Sequence, residues 1–422
     1  NGKFSNKYLI DVLEKISQFL IKSDNKKKPF IININSTVSP GSFDEMLIPF
    51  MKKKGLFINK DFEFIYNPYF VALGDVVKNL ENPDFILLGS SSLNASKKIK
   101  SLYSKLYRYP VFKNMNLNRI KFLCPVCKIG DIDFDNGGAF CSDIECKKEF
   151  PIINKKPVLI DFEKSVIKKE SFIQSMGKSE VTRIENRVFT LIKRFLFGSG
   201  GVTKKNLKYI SGKIHEIKNP KILIVGGGSI GSGMTHFYKE FSENILAFDI
   251  YTNSKLDFVA DAHDIPVRDN TFDLIIVQAV LEHVIDPRAV VDQCNRVLKT
   301  NGLIYAETPF MQQVHEGAYD FTRFTDSGHR FLFKNFSILK SGAIGGVGTT
   351  LMWSISYFFG GLFRSAIMRK IFRVLFFWLR FIDFLVPVNQ NIDGASGVFF
   401  IGKKSITPIS ENEIIDYYQG AQ

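Results

Sequence analysis

The stretch Lys221–Met234, KILIVGGGSIGSGM, restricts the folds open to this chain more than any other. The apolar run Ile222–Val225 enters a cluster in which Gly226, Gly228 and Gly231 stand in G-x-G-x-x-G register, with helix-compatible residues after it. That order predicts a strand, a tight turn and a helix start. Glycine is needed in such a turn because a side chain would hold the backbone away from a bound nucleotide, while the helix N-terminus offers free N–H donors. A second apolar run, Ile245–Phe248, ends at Asp249, 21 residues beyond Gly228, where a carboxylate can accept both hydroxyls of a ribose. The expected frame is an α/β sheet with its ligand at the carboxyl ends of the strands.

At 422 residues the chain exceeds one ordinary core, so two or three domains are expected. Its formal charge of +14 is scattered in short Lys/Arg clusters with no aromatic-basic recognition motif, which reads as a solvated surface, with no nucleic-acid partner expected. Residues 1–20 read as an amphipathic helix with Lys and Asp interspersed, without the pattern of an export signal. Asn1 is not a methionine, a start compatible with a chain that begins inside a longer protein.

Residues 1–115 alternate predicted helices (Tyr8–Ile21, Phe43–Lys54) with strands (Phe30–Asn35, Phe62–Tyr66, Phe85–Gly89), the pattern of a parallel α/β segment. Ser36, Thr37, Val38, Pro40 and Gly41, then Asn67, Pro68, Phe70 and Gly74, then Asn82, Pro83, Asp84 and Gly89 follow one another at telling intervals. This succession resembles the later half of the NAD-binding domain of UDP-glucose/GDP-mannose dehydrogenases. The resemblance places Thr37 near a nicotinamide. It also implies a catalytic glutamate where Tyr69 stands, and a phenol cannot replace a carboxylate near neutral pH. The segment is expected to be a partial Rossmann half-domain without dehydrogenase activity, with NAD as the lesser cofactor candidate.

In residues 116–164, Cys124 and Cys127 form a C-x-x-C knuckle, and 14 residues after Cys127 a C-x4-C pair, Cys141 and Cys146, begins. Four thiolates at this spacing can converge on one tetrahedral ion, with the Gly137-Gly138 tip folding the second pair onto the first, and zinc suits such a set. The bland alternative is four unligated core cysteines. With Phe150, Pro151, Ile152, Pro157 and Leu159 following, the segment resembles the short zinc ribbon in front of several methyltransferases. Four sulfur ligands leave no open position, so the ion would be structural. Residues 165–218 read as a linker with two helices, Val181–Phe197 and Lys205–Ile217, around the turn Gly198-Ser199-Gly200-Gly201.

Beyond Asp249 the chain reads DFVADAHDIP, then FDLIIVQAVLEHVIDP, then NGLIYAETP. Residues 219–404 thereby resemble class I S-adenosylmethionine-dependent methyltransferases. The resemblance implies that Gly226, Gly228 and Gly231 approach the methionine and sugar of the cofactor and that Asp249 binds its ribose. It also places Asp261 and Ala262 beside the adenine and Gln278 beside the sulfonium, and Leu281-Glu282-His283 at the opening of the following helix. The departures are Ile224 in place of a common acidic residue and the expanded loop with Gly227 and Ile230. Reading the same glycines as an NAD site leaves the D-A-H-D-I-P and L-E-H runs without a role. The chain is therefore expected to be a methyltransferase.

After the fifth strand, Thr308–Phe333 gathers His315, Glu316, Asp320, Arg323 and His329 among aromatics, and it looks like a loop of methyltransferases that modify bacterial polysaccharides and sugars. His315 is the expected base, Arg323 the expected partner of an acceptor phosphate or carboxylate, and Asp320 the third candidate catalytic group. Each also has a plain reading as a hydrogen-bonded loop residue. Phe336–Lys340 and Gly397–Lys403 are expected as antiparallel sixth and seventh strands, with a tail at 405–422. The insertion 342–394 between them is strongly apolar. Gly342–Phe363 holds no charge and is long enough by count to span a membrane, while Ile371–Val388 is aromatic with Arg373, Arg380 and Asp383. Since both flanking strands belong to one sheet, a helical cap over the acceptor is expected, lying against the membrane surface at the cytoplasmic face through 342–388, with a buried cap as the alternative. A small-molecule or lipid-linked saccharide is the expected acceptor.

Overall fold

The computed structural model describes residues 7–22, 29–35, 38, 42–68, 86–92, 95–96, 98–99, 102, 112–113, 120–135, 138–154, 156–175, 200–252 and 255–422. The chain divides into two compact units, Asn1–Asn116 and Leu117–Gln422. In the first, α1 (Lys7–Lys22) sets Leu13 and Leu20 against β1 (Phe30–Ile34) and β2 (Phe62–Tyr66), which pair in parallel. A π-turn at Phe43–Leu47 leads into α2 (Ile48–Lys53), whose Met51 closes the same core. The strand expected at Phe85–Gly89 is broken into two. β3 (Ile86–Leu87) runs parallel to β5 (Phe112–Lys113), and β4 (Gly89–Ser90) runs antiparallel to β2, because Leu88 between them turns into the core beside Ile65. Of the positions that carry the dehydrogenase resemblance, Val38, Asn67, Pro68 and Gly89 are described, while Thr37 and Tyr69 lie outside the described residues.

The second unit opens with a ribbon of short strands, β6 (Ile132–Asp135), β7 (Gly138–Cys141) and β8 (Glu149–Phe150), followed by the pair β9 (Ile152–Ile153) and β10 (Lys156–Pro157). A short helix, α3 (Lys169–Gln174), follows. The expected helix Val181–Phe197 lies outside the described residues. The next helix, α4 (Gly201–Ile214), begins directly at the glycine turn and stops ahead of Asn219, whose φ of 53° breaks the chain before Pro220.

Seven strands then form one sheet: β11 (Ile222–Val225), β12 (Ile245–Asp249), β13 (Phe258–Val259), β14 (Phe272–Gln278), β15 (Leu298–Pro309), β16 (Phe336–Gly345) and β17 (Gly397–Lys404). Their spatial order is β13-β12-β11-β14-β15-β17-β16. β17 pairs antiparallel with both β15 and β16, and the remaining pairings are parallel. Every side chain of β11 is buried, as a strand covered on both faces requires. One face is covered by α4 and α5 (Thr235–Glu240) through Leu207, Ile210, Ile214 and Phe237. The other is covered by α6 (Pro287–Val297) through Val290, Val291, Cys294 and Val297. The Asp286 carboxylate caps α6 by accepting from Arg288 N and Ala289 N, with Pro287 at the first helical position. The ribbon belongs to this core as well: Phe122 packs edge-on against Phe258, which stacks on Phe248, and Leu159 N donates to Val259 O at 2.8 Å. Chain order reverses about β11, the point at which open α/β sheets leave a ligand crevice.

The insertion begins later than expected, since Gly342–Gly345 complete β16 rather than start a helix. It contains α8 (Val347–Leu362) and α9 (Ala366–Leu375), preceded in the chain by α7 (Asp326–Leu332), then a 3-10 stretch Phe377–Phe384 and α10 (Val388–Asp393). The amino end of α8 is capped from within the insertion: the Asp383 carboxylate accepts from Gly346 N, Gly348 N and Thr349 N at 2.8–3.2 Å. Among the described residues, no helix is long and apolar enough to cross a membrane, so Gly342–Phe363 is not a span here. The segment after β17 includes α11 (Glu411–Asp416), opened by a Ser410/Glu413 capping box.

His329 of α7 is 1% exposed and shares a hydrogen bond with Thr308 Oγ1 at 2.9 Å, and burial pushes its pKa down to about 3. It stays neutral in the fold while an unfolded imidazole protonates near pH 6.5. As pH falls from about 6.5 towards 3 the unfolded state therefore takes up a proton that the fold refuses, costing about 1.4 kcal/mol per pH unit. Melting temperatures between pH 7 and 4 are expected to fall more steeply for the native chain than for His329→Gln. Parallel slopes would refute this role.

Candidate functional site

The glycine turn leaves β11 at Gly226, whose φ is +73°, and a β carbon there would meet Val280 Cγ2 at 2.3 Å. Two residues on, Gly228 N donates to Asp249 Oδ2 at 2.9 Å, and a β carbon on Gly228 would stand 2.6 Å from the same oxygen. Gly231 faces Gln278 Oε1, which a β carbon would approach to 1.7 Å. The structure thus brings Gly226, Gly228, Gly231, Asp249 and Gln278 together at the carboxyl ends of β11, β12 and β14. Gln278 is aimed by a group the sequence analysis passed over. Its Nε2 donates to Glu307 Oε2 at 2.6 Å and to Ser232 O at 3.2 Å, while Glu307 Oε1 accepts from Thr203 Oγ1 at 2.6 Å and from Tyr305 Oη. Burial raises the pKa of Glu307. A polar residue inside an otherwise apolar strand was the signal that could have found it.

Asp261 and Ala262 follow β13, one strand further along. The Asp261 carboxylate accepts from His263 N and Nδ1 and from Ser165 Oγ, so both of its oxygens have protein partners; burial works against these hydrogen bonds, which leave its pKa lowered. His263 Nε2 in turn accepts from Asp286 N at 3.2 Å, which ties this turn to the start of α6.

The loop after β15 folds over the turn Leu281–His283 that follows β14. Phe321 N donates to Glu282 O at 2.7 Å. Asp320 accepts from His315 N at 2.9 Å and forms a two-pronged pair with Arg323, which holds its carboxyl down at about 2. The remaining N–H groups of Arg323 go to the carbonyls of Gln312, Gln313 and Thr322. This corrects the expectation that Arg323 receives an acceptor anion, because its donors are spent in bracing the loop.

His315 Nδ1 lies 3.4 Å from Asp320 Oδ2, and its Nε2 lies 3.8 Å from Glu282 Oε1. His283 donates from Nδ1 to Tyr319 O at 2.7 Å and places Nε2 3.6 Å from the same Glu282 oxygen. Glu282 is 1% exposed, neither of its carboxylate oxygens has a hydrogen-bond partner, and burial pushes its pKa up to about 7. Burial also lowers the pKa of His283. The sequence pointed to His315 alone. Glu282 and His283 were visible only as an L-E-H run, which the methyltransferase resemblance places at a helix opening.

The four ribbon cysteines converge. Cys124 Sγ and Cys146 Sγ are 3.9 Å apart, and Cys127 Sγ and Cys141 Sγ are 3.6 Å apart. A tetrahedron of sulfurs about 2.3 Å from a central zinc has edges of about 3.8 Å, so the set fits that ion. Lys128 and Lys147, one residue past each pair, take positive φ, as such knuckles require, and a β carbon on Gly130 would stand 2.5 Å from Cys141 Sγ. Burial raises the thiol pKa of Cys124 and Cys141. Cys127 is held down at about 7 by the backbone N–H groups of Gly130 and Ile129, against its own burial.

A doubly wound sheet with a glycine turn, a carboxylate at the end of β12 and a glutamine at the switch point has the form of a nucleotide-cofactor crevice. Residues 225–306 match the family described as Methyltransferase domain. Residues 1–107 match the NAD binding domain of the UDP-glucose/GDP-mannose dehydrogenase family. No curated protein matches the chain. Similar solved structures include a SAM-dependent methyltransferase from Archaeoglobus fulgidus at 15% identity, covering 52% of this chain and 100% of that one with a TM-score of 0.32. Coclaurine N-methyltransferase bound to N-methylheliamine and SAH is 12% identical over 48% of this chain and 72% of its own, with a TM-score of 0.30. Geranyl diphosphate methyltransferase in complex with SAM is 10% identical over 48% and 85%, with a TM-score of 0.32.

The three glycines are not equivalent. The obstacle at Gly231 is the end of a flexible side chain, whereas at Gly228 it is the carboxylate that the site needs in place. Gly228→Ala and Asp249→Ala are each expected to weaken S-adenosylhomocysteine binding about 10- to 100-fold by calorimetry, and Gly231→Ala less. Equal effects at Gly228 and Gly231 would contradict this ranking.

Proposed function

We propose that this methyltransferase acts on an oxygen nucleophile of a saccharide, free or lipid-linked, in the making of a cell-surface polysaccharide. The observation that carries the reading is the Glu282–His283–His315 cluster beside the switch point, where an acceptor hydroxyl can lose its proton. Gly226, Gly228, Gly231, Asp249 and Gln278 hold the cofactor, Asp261 and Ala262 border its adenine, and Asp320, fixed by Arg323, sets the position of His315.

The insertion supports action at the cytoplasmic face of a membrane. Ile367, Ile371, Trp378, Phe381, Phe384 and Leu385 are exposed along α9 and the 3-10 stretch. Arg364, Arg369, Lys370 and Arg380 lie in the same stretch against Asp383 alone, while the Arg373 guanidinium packs over the Trp353 ring. Apolar side chains ringed by cations suit an anionic bilayer surface. The ribbon holds a structural zinc ion through Cys124, Cys127, Cys141 and Cys146. The first unit serves as a structural segment without dehydrogenase activity, a reading supported by Tyr69 in place of the glutamate.

Transfer of labelled methyl from S-adenosylmethionine to purified saccharide or lipid-linked saccharide fractions is expected. Labelling confined to protein or amine acceptors would overturn the acceptor class. The chain is expected to float with vesicles containing anionic lipid and not with neutral ones, and Phe384→Asp/Leu385→Asp to abolish flotation. Elemental analysis of the purified chain is expected to give one zinc per chain, lost on Cys127→Ser together with several degrees of melting temperature. Full zinc content in that variant would exclude the ribbon as its holder.

A further inference from the structure

The Glu282–His283–His315 cluster is built like a metal site. We propose that it binds a first-row divalent cation whose open positions hold the acceptor by its oxygen atoms. The proposal rests on the methyltransferase reading and specifies how the acceptor is held.

Three observations carry it. Glu282 is buried with both carboxylate oxygens lacking a hydrogen-bond partner, an arrangement that a bound cation would complete. One Glu282 carboxylate oxygen and one ring nitrogen each of His283 and His315 all lie within 4.8 Å of one another. The two closest separations, 3.6 and 3.8 Å, lie a little above the edge of about 3.0 to 3.4 Å expected between ligands held about 2.1 Å from one six- or four-coordinate ion. Finally, the Nδ1 atoms of both imidazoles are turned to acceptors, Tyr319 O for His283 and the Asp320 carboxylate for His315. The hydrogen bond fixes the His283 Nε2 as the lone-pair atom facing Glu282, and the Asp320 carboxylate favours the same tautomer at His315, the outer-shell arrangement that orients metal-ligating histidines. Arg323 then acts as a positioning residue two steps out, since it fixes Asp320.

Two imidazoles and one carboxylate suit Mn²⁺, Fe²⁺, Co²⁺ or Zn²⁺ better than Mg²⁺ or Ca²⁺. Three protein ligands leave positions for adjacent oxygens of a sugar. A hydroxyl on the cation gives its proton to solvent water, and its oxygen then attacks the methyl carbon. The C–S bond breaks with its electron pair returning to sulfur, which yields the methyl ether and neutral S-adenosylhomocysteine.

The test uses the whole chain as purified, with its ribbon metal in place, titrated with Mn²⁺ under electron paramagnetic resonance. One Mn²⁺ per chain with nitrogen hyperfine coupling from imidazole is expected. Affinity is expected to fall at least about tenfold in His315→Ala and in Glu282→Gln, while both still bind S-adenosylhomocysteine. His315 is exposed, so its variant keeps the test open if Glu282→Gln fails to fold. A chain that binds S-adenosylhomocysteine but no Mn²⁺, or whose Mn²⁺ is indifferent to both variants, overturns the metal site and leaves the methyltransferase reading intact. A chain that binds neither overturns both.

Discussion

The turn at Gly226 governs the second unit. The chain must leave the central strand β11, cross the end of the sheet and open a helix, and it does so with a left-handed residue pressed against Val280, which follows β14. Because β11 pairs with β12 on one side and β14 on the other, this crossing brings Asp249 and Gln278 to opposite flanks of one loop. The Gly228–Asp249 hydrogen bond and the Gly231–Gln278 contact follow from that geometry. The buried Glu307 then transmits the position of α4 to Gln278, so the floor of the crevice is fixed from both layers of the fold.

Most of the sheet was legible because parallel strands buried on both faces are written as short apolar runs between turn residues. Ile222–Val225, Phe272–Val277 and Gly397–Lys403 all lie where those runs fall. What local pattern misjudged were boundaries decided by pairing. Gly342–Gly345 look like the start of an apolar helix, but β17 offers them partners and extends β16. In the first unit Leu88 splits one expected strand into two pieces with different partners.

The site was legible in proportion to how much of it lies within one stretch of chain. The glycine turn and the cysteine pairs are local motifs, and each stood out. The cluster at Glu282 and His283 required His315, some thirty residues away, to fold back over the turn after β14, and no spacing rule announces that. Arg323 shows the converse error. A free-looking arginine in a polar loop suggests a ligand anion, yet Asp320 three residues earlier and three backbone carbonyls take up its donors.

The insertion does not merely sit above this loop. Tyr357 Oη on α8 donates to Val314 O at 2.9 Å, and Gln313 Nε2 donates to Ser354 Oγ at 3.2 Å. Val314 is the covalent neighbour of His315. α8, held at its amino end by the Asp383 carboxylate, is therefore linked to the imidazole through one hydrogen bond and one peptide link. Insertion and loop are thus parts of one hydrogen-bonded unit, and a side chain on α8 reaches the backbone beside His315 although the two lie some forty residues apart in the chain.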